Sequence, residues 1–353
     1  MKIAIFLPNW IGDVVMSTPA LAALRSHFGR AAQLIGVMRP YVSQVLDSSG
    51  LLDEVLYYDP RSKDPELRSW SMVKTLRQAQ PEIVLLLTNS LRTALLAYAT
   101  GAPRRVGFAR NLRGPLLTDR IAMRTRYFKL LPQSAMDNYL RLVALLGCTE
   151  LNFSPRLGTS PADELMADST WHKLGLPPGN QVVVMHNGGG WGGQAEAKAW
   201  PCEYFGELAR RIATTHGLGV LVLCGPAERE TAARIAMEAN HPLVKSLANE
   251  PLSIGLSKAC VRRSRMMVST DSGPRHFAHA FGVPVVTIYG STHMAWGDTH
   301  FAQAINLQRQ VPCGPCLQKF CPLGHHRCMR EMGVNEVLRA VEAQLTQLSR
   351  TAA

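Results

Sequence analysis

A polar turn in the second half of the chain carries residues suited to binding chemistry. The segment from Thr270 to Gly273, TDSG, lies between two apolar, β-rich runs, Met266 to Ser269 and Pro284 to Ile288, and a predicted helix from Arg275 to Phe281 begins just after it. A turn from a strand into a helix presents unpaired N–H groups and the positive end of a helix dipole at the carboxyl edge of a sheet. The segment therefore predicts a site for a phosphate-bearing ligand in half of a nucleotide-binding sheet.

A second polar turn lies near the start of the chain. Gly12 allows a tight turn after the predicted strand Lys2 to Leu7, and Asp13 lies at the mouth of a predicted helix, Val14 to Phe28. Asp13 could cap that helix. It could equally act as a general base, provided that an acceptor hydroxyl comes within hydrogen-bond reach. The pattern alone leaves both readings open.

Two further charged residues belong to predicted strand-to-helix loops of the second half. Lys198 follows a glycine-rich loop, His186 to Gly193, after the predicted strand Gln181 to Met185. A lysine beside such a loop indicates a phosphate contact, although an exposed surface lysine would give the same pattern. Glu228 follows the predicted strand Gly219 to Cys224. It could accept hydrogen bonds from a ribose or a base, or it could cap the next helix.

One stretch of the first half is strongly basic. Guanidinium groups at this density suit bidentate binding of phosphate or carboxylate groups, although a solvated basic face would look the same. The stretch has few aromatic residues and no recognisable nucleic-acid module, so nucleic acid is not an expected partner. Its basic residues, against the single acid Asp119, are Arg104, Arg105, Arg110, Arg113, Arg120, Arg124, Arg126 and Lys129.

Four of the eight cysteines are clustered near the end of the chain. Cys313, Cys316, Cys321 and Cys328 follow the pattern C-x2-C-x4-C-x6-C, with two histidines between the last two. Ligands at this density are compatible with a structural zinc ion or an iron–sulfur cluster. Reduced thiols in a folded loop and disulfides are the alternatives. The other four cysteines stand singly in apolar patterns and are expected in the core.

The elements that must position these residues form a repeated strand–helix alternation over 353 residues, 46% of them hydrophobic and 18% charged. The repeat predicts two α/β domains with parallel sheets, residues 1–160 and 161–353, joined by a linker from Leu151 to Pro161. A final amphipathic helix is predicted from Asn335 to Ser349. No segment has the length of a signal peptide core or a spanning helix, so a cytoplasmic protein is expected. The net charge of +12 points to polyanionic partners.

Several segments, in order and over nearly the whole chain, resemble the ADP-heptose:lipopolysaccharide heptosyltransferases of glycosyltransferase family 9, and most of all the heptosyltransferase II group. The matching segments are FLPNWIGDVVMSTPALAALR, NSLRTALLAYATGAPRRVGFARNLRGPLLTD, AKAWP, STDSGPRHFAHAFGVPVVTIYGST and CGPCLQKFCPLGHHRCM. The resemblance implies the glycosyltransferase B fold, in which two Rossmann-like, doubly wound parallel-sheet domains face an interdomain cleft. The first domain would bind the acceptor and the second the nucleotide sugar, and the terminal helix is expected to pack back on the first domain.

The resemblance also implies roles for individual residues. Asp13 matches the family's general base, which takes the proton of the acceptor hydroxyl as that oxygen attacks the anomeric carbon with inversion. Lys198 matches the lysine that offsets charge on the leaving ADP, so no divalent metal is required. The basic stretch, with Arg104, Arg105, Arg110 and Arg113, would face the acidic acceptor or the membrane surface. The expected donor-binding residues are Gly12, Glu228, Thr270, Asp271, Ser272, Gly273 and His276.

The partners expected on this basis are ADP-heptose, the lipopolysaccharide inner core and the cytoplasmic face of the inner membrane, with the enzyme as a monomer. The chain departs from the family pattern at Ala199, at Pro274-Arg275 and in the unusually glycine-rich loop. These departures leave open a transferase for another nucleotide sugar. A nucleotide-sugar 2-epimerase, which can share this two-domain fold, is a second alternative.

Overall fold

The computed structural model describes residues 1–126, 129–188 and 196–352. The chain divides into two compact units, Met1–Gly158 and Thr159–Ala353. None of the helices in these described ranges is long and apolar enough to cross a membrane. Most of the glycine-rich loop, from residue 189 onward, lies outside the described residues, so its expected freedom near a ligand stays a prediction.

The first unit contains a six-stranded parallel sheet with the order β3-β2-β1-β4-β5-β6. Apart from Lys2, its central strands β1 and β4 are apolar, because helices cover both faces of a doubly wound sheet. A two-stranded antiparallel ribbon, β7 and β8, follows. The strands are β1 Lys2–Phe6, β2 Gln33–Met38, β3 Glu54–Tyr57, β4 Ile83–Leu86, β5 Arg104–Phe108, β6 Asp119–Ile121, β7 Thr125–Arg126 and β8 Lys129–Leu130.

The helices of the first unit alternate with these strands. Part of the core is formed by β1, β2 and β4 with apolar side chains of α3 and α4, among them Met72, Leu76 and Ala94. Two of the helices begin at serine caps, since Ser90 and Ser134 each accept a backbone N–H of the first turn. The helices are α1 Ile11–Phe28, α2 Pro40–Leu46, α3 Ser69–Ala79, α4 Leu91–Ala99 and α5 Ala135–Ala144.

The second unit repeats the arrangement, with the parallel order β11-β10-β9-β12-β13-β14. The strands are β9 Val182–His186, β10 Gly219–Leu223, β11 Val244–Ser246, β12 Met266–Thr270, β13 Val285–Tyr289 and β14 Ala304–Gln308. The helices are α6 Pro161–Leu174, α7 Cys202–His216, α8 Arg229–Ala239, α9 Ile254–Arg263, α10 Arg275–Ala280, α11 Arg327–Arg330 and α12 Val334–Ala352. The expectation of two doubly wound parallel sheets is confirmed.

The first element of the second unit shows how local sequence sets a boundary. Ser160 and Asp163 form a reciprocal capping box around Pro161, and Gly175 ends α6 in the left-handed conformation. The terminal helix α12 packs against α7 and β13 of its own unit. Its length exceeds the predicted range, because the apolar spacing ends before the backbone hydrogen bonding does.

Both sheets reverse their strand order beside their first strand. In the first unit the reversal lies between β1 and β4, and in the second between β9 and β12. Open α/β sheets bind ligands at this point, because the loops after the two adjacent strands diverge and leave a crevice at the carboxyl edge. Gly12 and Asp13 follow β1, and the turn from Asp271 to Gly273 follows β12. Each turn thus lies at the strand-order reversal of its own sheet, although the counterpart of β1 in the second sheet is β9 and that of β12 in the first sheet is β4.

Candidate functional site

Asp271 is the centre of a compact group of charged and polar side chains at the end of β12. One carboxylate oxygen accepts hydrogen bonds from Lys198 Nζ at 2.8 Å and from Thr292 Oγ1 at 2.6 Å. The other oxygen lies 3.6 Å from Arg275 Nε. Burial raises the pKa of Asp271, but the charges of Lys198 and Arg275 outweigh it and lower the pKa to about 2. Asp271 is therefore a carboxylate held between two cations.

Lys198 lies beside this carboxylate because its backbone is anchored on the core. It ends a short 3₁₀ turn, Glu196–Lys198, two residues before the buried Trp200. Asn187, at the end of β9, exchanges two hydrogen bonds with the Trp200 backbone, at 2.8 and 3.1 Å. The Trp200 indole donates to Met332 O at 2.9 Å. The Lys198 side chain remains 27% exposed, so its ammonium can contact an anion as well as Asp271.

A second chain of contacts joins Ser272 to Glu228 through His186. His186 Nδ1 lies 3.0 Å from Ser272 Oγ, and His186 Nε2 lies 3.4 Å from Glu228 Oε2. Glu228 also accepts the Gly225 N–H at 2.9 Å, which closes the 3₁₀ turn Pro226–Glu228, and its side chain makes no cap bond to the next helix, α8. Burial raises the pKa of Glu228. The His186 contacts and the Gly225 N–H together outweigh burial, so the net shift of the pKa is downward. Three parallel strands, β9, β10 and β12, thus bring these side chains together.

The backbone between β9 and β12 is packed so closely that only glycine fits. A Cβ atom on Gly188 would lie 2.5 Å from His186 Cε1 and 2.6 Å from Ser272 Cβ. The Gly188 carbonyl accepts the buried hydroxyl of Thr270 at 3.0 Å. Thr270 therefore acts here as a support for the loop after β9, and its expected contact with a donor stays a prediction.

His276 and Arg275, in the helix after the turn, are both buried. Burial, with a smaller contribution from Arg275, holds the pKa of His276 well below its usual range, so the imidazole is neutral. Arg275 donates to Gly297 O and lies over the Tyr289 ring, 5.3 Å from its centre. The Gly273 carbonyl accepts the His276 N–H at 3.1 Å.

Four residues of this group were not predicted from the sequence, namely His186, Asn187, Arg275 and Thr292. His186 and Asn187 lie at the reversal of strand order, where a ligand-facing side chain can be anticipated. The prediction for their loop rested on its five glycines and assigned these two residues no role. Arg275 stood out only as a departure from the family pattern. Thr292 follows β13, and no spacing in the sequence connects it with Asp271.

In the first unit, α1 begins at Ile11 rather than at Val14, and Trp10 occupies the N-cap position without a side-chain cap bond. Asp13 is therefore inside the first turn, so the N-cap reading of this residue is wrong. A carboxylate there is favoured by the positive end of the 18-residue helix. Tyr139 lies near Asp13. Burial is the main cause of the raised pKa of the Tyr139 phenol, and the charge of Asp13 raises that pKa further. Gly12 is buried beside it.

The four arginines expected at the acceptor differ in their surroundings. Arg104 pairs with Asp119 at 2.9 Å, and Arg105 donates to the carbonyls of Leu116 and Ala102. Arg113 is fully buried and donates to Phe108 O, Thr88 O and Asn89 Oδ1, at 2.7, 2.6 and 2.9 Å. Burial, and next Arg110, lower the pKa of Arg113 to about 10. Arg110 is half-buried. The acceptor role of the four stays a prediction.

The clustered cysteines lie in residues 311–328, here called the cysteine loop, which follow β14 and include the first two residues of α11, so that Cys328 is helical. None of the eight cysteines, all within described ranges, is in a disulfide. Across the part of the chain that the structure describes, no three Cys, His, Asp or Glu side chains are gathered closely enough to hold a metal ion as they stand. A cavity of about 40 Å³ is nevertheless lined by Cys313, Cys316, Cys321, Cys328, His325 and His326.

Comparison with known proteins was consistent across sequence and structure. The chain is 26% identical to lipooligosaccharide heptosyltransferase 2 of Campylobacter jejuni, over 96% of each chain. It is 23% identical to lipopolysaccharide heptosyltransferase 2 of Escherichia coli, over 98% of this chain and 99% of that protein. These relatives support the resemblance read from the sequence.

Solved structures show the same fold. The Escherichia coli ADP-heptose lps heptosyltransferase II superposes with a TM-score of 0.78, at 20% identity over 99% of this chain and all of that one. A glycosyltransferase family 9 structure from Veillonella parvula superposes with a TM-score of 0.80, at 22% identity over 98% and 97% of the two chains. The expected glycosyltransferase B fold is thereby confirmed. The sequence profile of glycosyltransferase family 9 (heptosyltransferase) matches residues 69–326, well over half of the chain, and the chain belongs to that family.

Proposed function

We propose that the chain transfers heptose from ADP-heptose to a heptose of the lipopolysaccharide inner core, with inversion at the anomeric carbon and without a divalent metal. The pairing of Lys198 with Asp271 at the strand-order reversal carries this proposal. A buried carboxylate that holds an exposed ammonium at a nucleotide-binding edge suits a diphosphate leaving group. The names of the relatives supply the donor and the acceptor class.

The proposed reaction assigns one task to each charged group. Asp13 accepts the proton of the acceptor hydroxyl, whose oxygen forms a bond to the anomeric carbon of the heptose. The bond from that carbon to the diphosphate oxygen breaks, and its electron pair leaves with ADP. Lys198 stabilises the charge that grows on the diphosphate, while Asp271 orients the ammonium. Ser272, His186 and Glu228 bind the nucleoside side of the donor, and Arg104, Arg105 and Arg110 bind the acidic acceptor. The buried Arg113 supports the backbone next to them.

Product analysis tests the donor, the acceptor and the stereochemistry. Purified full-length chain is incubated with a panel of nucleotide sugars, with and without a deacylated inner-core acceptor that ends in heptose. ADP release from ADP-heptose only when acceptor is present, with a product of inverted anomeric configuration, is the expected result. Turnover of a nucleotide sugar alone would point to the epimerase, and transfer from another nucleotide sugar would overturn the donor. Equal rates with and without added Mg²⁺ are expected.

Replacement of the proposed base separates catalysis from binding. Asp13→Asn should lower kcat by roughly 10²- to 10⁴-fold, which is the usual contribution of a positioned base. ADP affinity, measured by calorimetry, should remain within about twofold, because ADP is assigned to the second unit. Glu66→Gln, at an exposed position of the same unit, is the matched control. Full turnover by Asp13→Asn would remove this residue from the mechanism.

We further propose that the first unit binds an anionic membrane surface through the outer faces of α3 and α4, here called the α3/α4 face. The two helices pack on each other, and Arg77 of α3 donates to the Ala99 carbonyl at the end of α4. Apolar side chains stand out from this face, with Trp70 72% and Tyr98 59% exposed. Exposed basic residues accompany them, namely Lys74, Arg77 and Arg92. Apolar groups flanked by cations are typical of interfacial binding to acidic lipid.

A further inference from the structure

The cysteine loop combines features that the transfer reaction does not use. It has little regular structure, and it exposes apolar side chains, with Leu317 56%, Phe320 56% and Leu323 61% exposed. Hydrophobic burial therefore contributes little to holding this loop in one conformation. A loop of this kind in a folded chain is usually fixed by a crosslink or a bound ion. The cysteines supply the groups for either.

The four thiols converge on one small space. They line the same cavity as the imidazoles of His325 and His326, and Cys313 Sγ lies 4.0 Å from His325 Nε2. Two ligands on one tetrahedral zinc ion would be only about half an ångström closer, given metal–ligand bonds of about 2.0–2.3 Å. This sulfur and this imidazole nitrogen are therefore slightly too far apart to share a single ion as they stand. Small side-chain rotations would close the gap for zinc, and a cluster with bridging sulfides spans a wider space.

The side chains that line the cavity include no carboxylate. Residues 309–330 contain no carboxylate, and they contain four cations, Arg309, Lys319, Arg327 and Arg330. Thiolate is the form of cysteine that binds a metal. Thiolate and imidazole are soft or borderline ligands, so the set suits zinc or iron–sulfur chemistry and not calcium or magnesium.

The cysteine loop is also connected to the backbone of the candidate site. The Lys319 carbonyl accepts the N–H of Ala197, the residue before Lys198, at 3.1 Å. The Leu317 N–H donates to the carbonyl of Ser291, the residue before Thr292, at 2.8 Å. Lys198 and Thr292 are the two residues that hydrogen-bond to the same oxygen of Asp271. A rigid cysteine loop would therefore keep Lys198 and Thr292, the two hydrogen-bond donors to this carboxylate, in fixed positions.

We propose that Cys313, Cys316, Cys321 and Cys328 hold a thiolate-bound metal centre, either a zinc ion or an iron–sulfur cluster, which braces the backbone that carries Lys198 and Thr292. The metal centre stands independently of the transfer reaction. The bracing of the donor site rests on the proposed function. Residues of the cysteine loop are accordingly positioning residues, since none of them contacts the reacting atoms in the proposed reaction.

Metal analysis of the full-length chain tests the centre. The protein is produced with both zinc and iron in the medium, purified without oxygen, and assayed for the two metals and for acid-labile sulfide. We expect about one zinc per chain, or about two to four irons with a similar amount of sulfide. Less than about half an equivalent of both metals would overturn the centre. The sulfide assay and the visible spectrum distinguish the cluster from the zinc ion.

Two variants show whether the metal belongs to these thiols. Cys321→Ser should lose most of the metal, while Cys202→Ser, a half-buried cysteine of α7, should keep it. Equal metal content in the two variants would overturn the assignment. If Cys321→Ser does not fold, wild-type chain stripped by a chelator supplies the same comparison. Restoring zinc, or iron with sulfide, should then raise its Tm, and an unchanged Tm in both reconstitutions would count against a structural centre.

The bracing role predicts a selective defect in donor binding. The metal-free chain should bind ADP about tenfold more weakly by calorimetry, because Lys198 and Thr292 lose their common support. The KM for the nucleotide sugar should rise more than kcat falls, whereas general misfolding would lower the active fraction and leave KM unchanged. Unchanged ADP affinity in a chain shown to lack metal would reject the bracing. A chain that keeps its metal but transfers no sugar would reject the proposed function and leave the centre intact.

Discussion

Lys198 and Asp271 are 73 positions apart in the sequence, yet the ammonium nitrogen lies 2.8 Å from a carboxylate oxygen. The pair is partly buried, so its charges are less screened than those of a surface ion pair. Asp271 also contacts Arg275 and Thr292. Asp271 therefore determines where the lysine charge is placed.

Removing that charge should affect the transfer step strongly. Lys198→Gln is expected to lower kcat/KM for the nucleotide sugar by roughly 10²- to 10³-fold, because it removes a cation directed at the leaving group. Steady-state kinetics with purified chain measure the effect. Lys63→Gln, an exposed lysine of the first unit, should behave as wild type. A Lys198→Gln rate within threefold of wild type would contradict the assignment.

The Asp271 carboxylate should also make stability depend on pH in an acidic window. Its folded-state pKa of about 2 is below the ordinary value of 3.8, so the folded state binds this proton less tightly. The resulting stabilisation is fully present above pH 4 and is lost as the pH falls towards 2. A shift of this size corresponds to about 2 kcal/mol. We expect the difference in unfolding free energy between wild type and Asp271→Asn to shrink by that order from pH 5 to pH 2.

Urea titrations at several acidic pH values measure this difference, with fluorescence of the second unit's tryptophans as the signal. The comparison uses the two proteins at each pH, so that other titrating groups cancel. A difference that stays constant across the window would show that Asp271 is not held by its cations in solution.

At the scale of elements, the approach of β9 to the turn after β12 decides the site geometry. The pairing of these strands continues to Ser269 and His186, and the next contact is between His186 and Ser272. Gly188 is in this gap, where any side chain would meet His186 and Ser272. The close approach of two strand ends thus depends on one residue without a Cβ atom.

Gly188→Ala should therefore separate the two strand ends. We expect ADP affinity to fall by about an order of magnitude and the unfolding free energy to fall by roughly 1–3 kcal/mol, the usual cost of overpacking. Calorimetry and thermal unfolding measure the two effects. Gly333→Ala is the control, since its Cβ atom would meet no neighbour within 4 Å. Equal ADP affinity in the two variants would show that the β9 loop adapts without cost.

At the scale of the whole molecule, the net charge of +12 is distributed unevenly. From Ile83 to Thr118 the chain has five arginines and no carboxylate. The α3/α4 face lies next to and within this range, and it adds exposed apolar groups to the positive charge. Long-range attraction to acidic lipid and short-range insertion of Trp70 would then act on the same surface.

Vesicle binding by the full-length chain tests this face. We expect binding to vesicles that contain phosphatidylglycerol, little binding to neutral phosphatidylcholine vesicles, and loss of most binding at about 0.5 M salt. Trp70→Ser with Leu95→Ser should weaken binding about tenfold, because two interfacial side chains are lost. Leu165→Ser with Met237→Ser removes two equally exposed apolar residues of the second unit. Equal weakening by both pairs would contradict the α3/α4 face.

Much of the architecture could be predicted from the sequence, because hydrophobic runs and glycine- or proline-rich turns are local signals. The repeated strands and helices, the turns at Asp13 and Asp271, and the two parallel sheets were predicted correctly. The predictions missed β6 and β14, each at one edge of its sheet, and the two short ribbon strands β7 and β8. β6 and β14 are half-exposed and therefore lack a strong apolar pattern. The start of α1 was also placed three residues late, because Ile11 and Gly12 resembled the end of a loop.

The sequence by itself determined which residue types stand at the carboxyl ends of the strands, since the succession of strands, turns and helices along the chain follows from local patterns. Only the tertiary structure decided which of them meet. It paired Lys198 with Asp271, connected Ser272 to Glu228 through His186, and buried Arg113 among carbonyl oxygens. Such contacts join residues far apart in the chain, and they depend on side-chain packing that no local pattern encodes. The cysteines show the same division: their spacing suggested a metal, and the fold placed them beside the segment that holds Lys198.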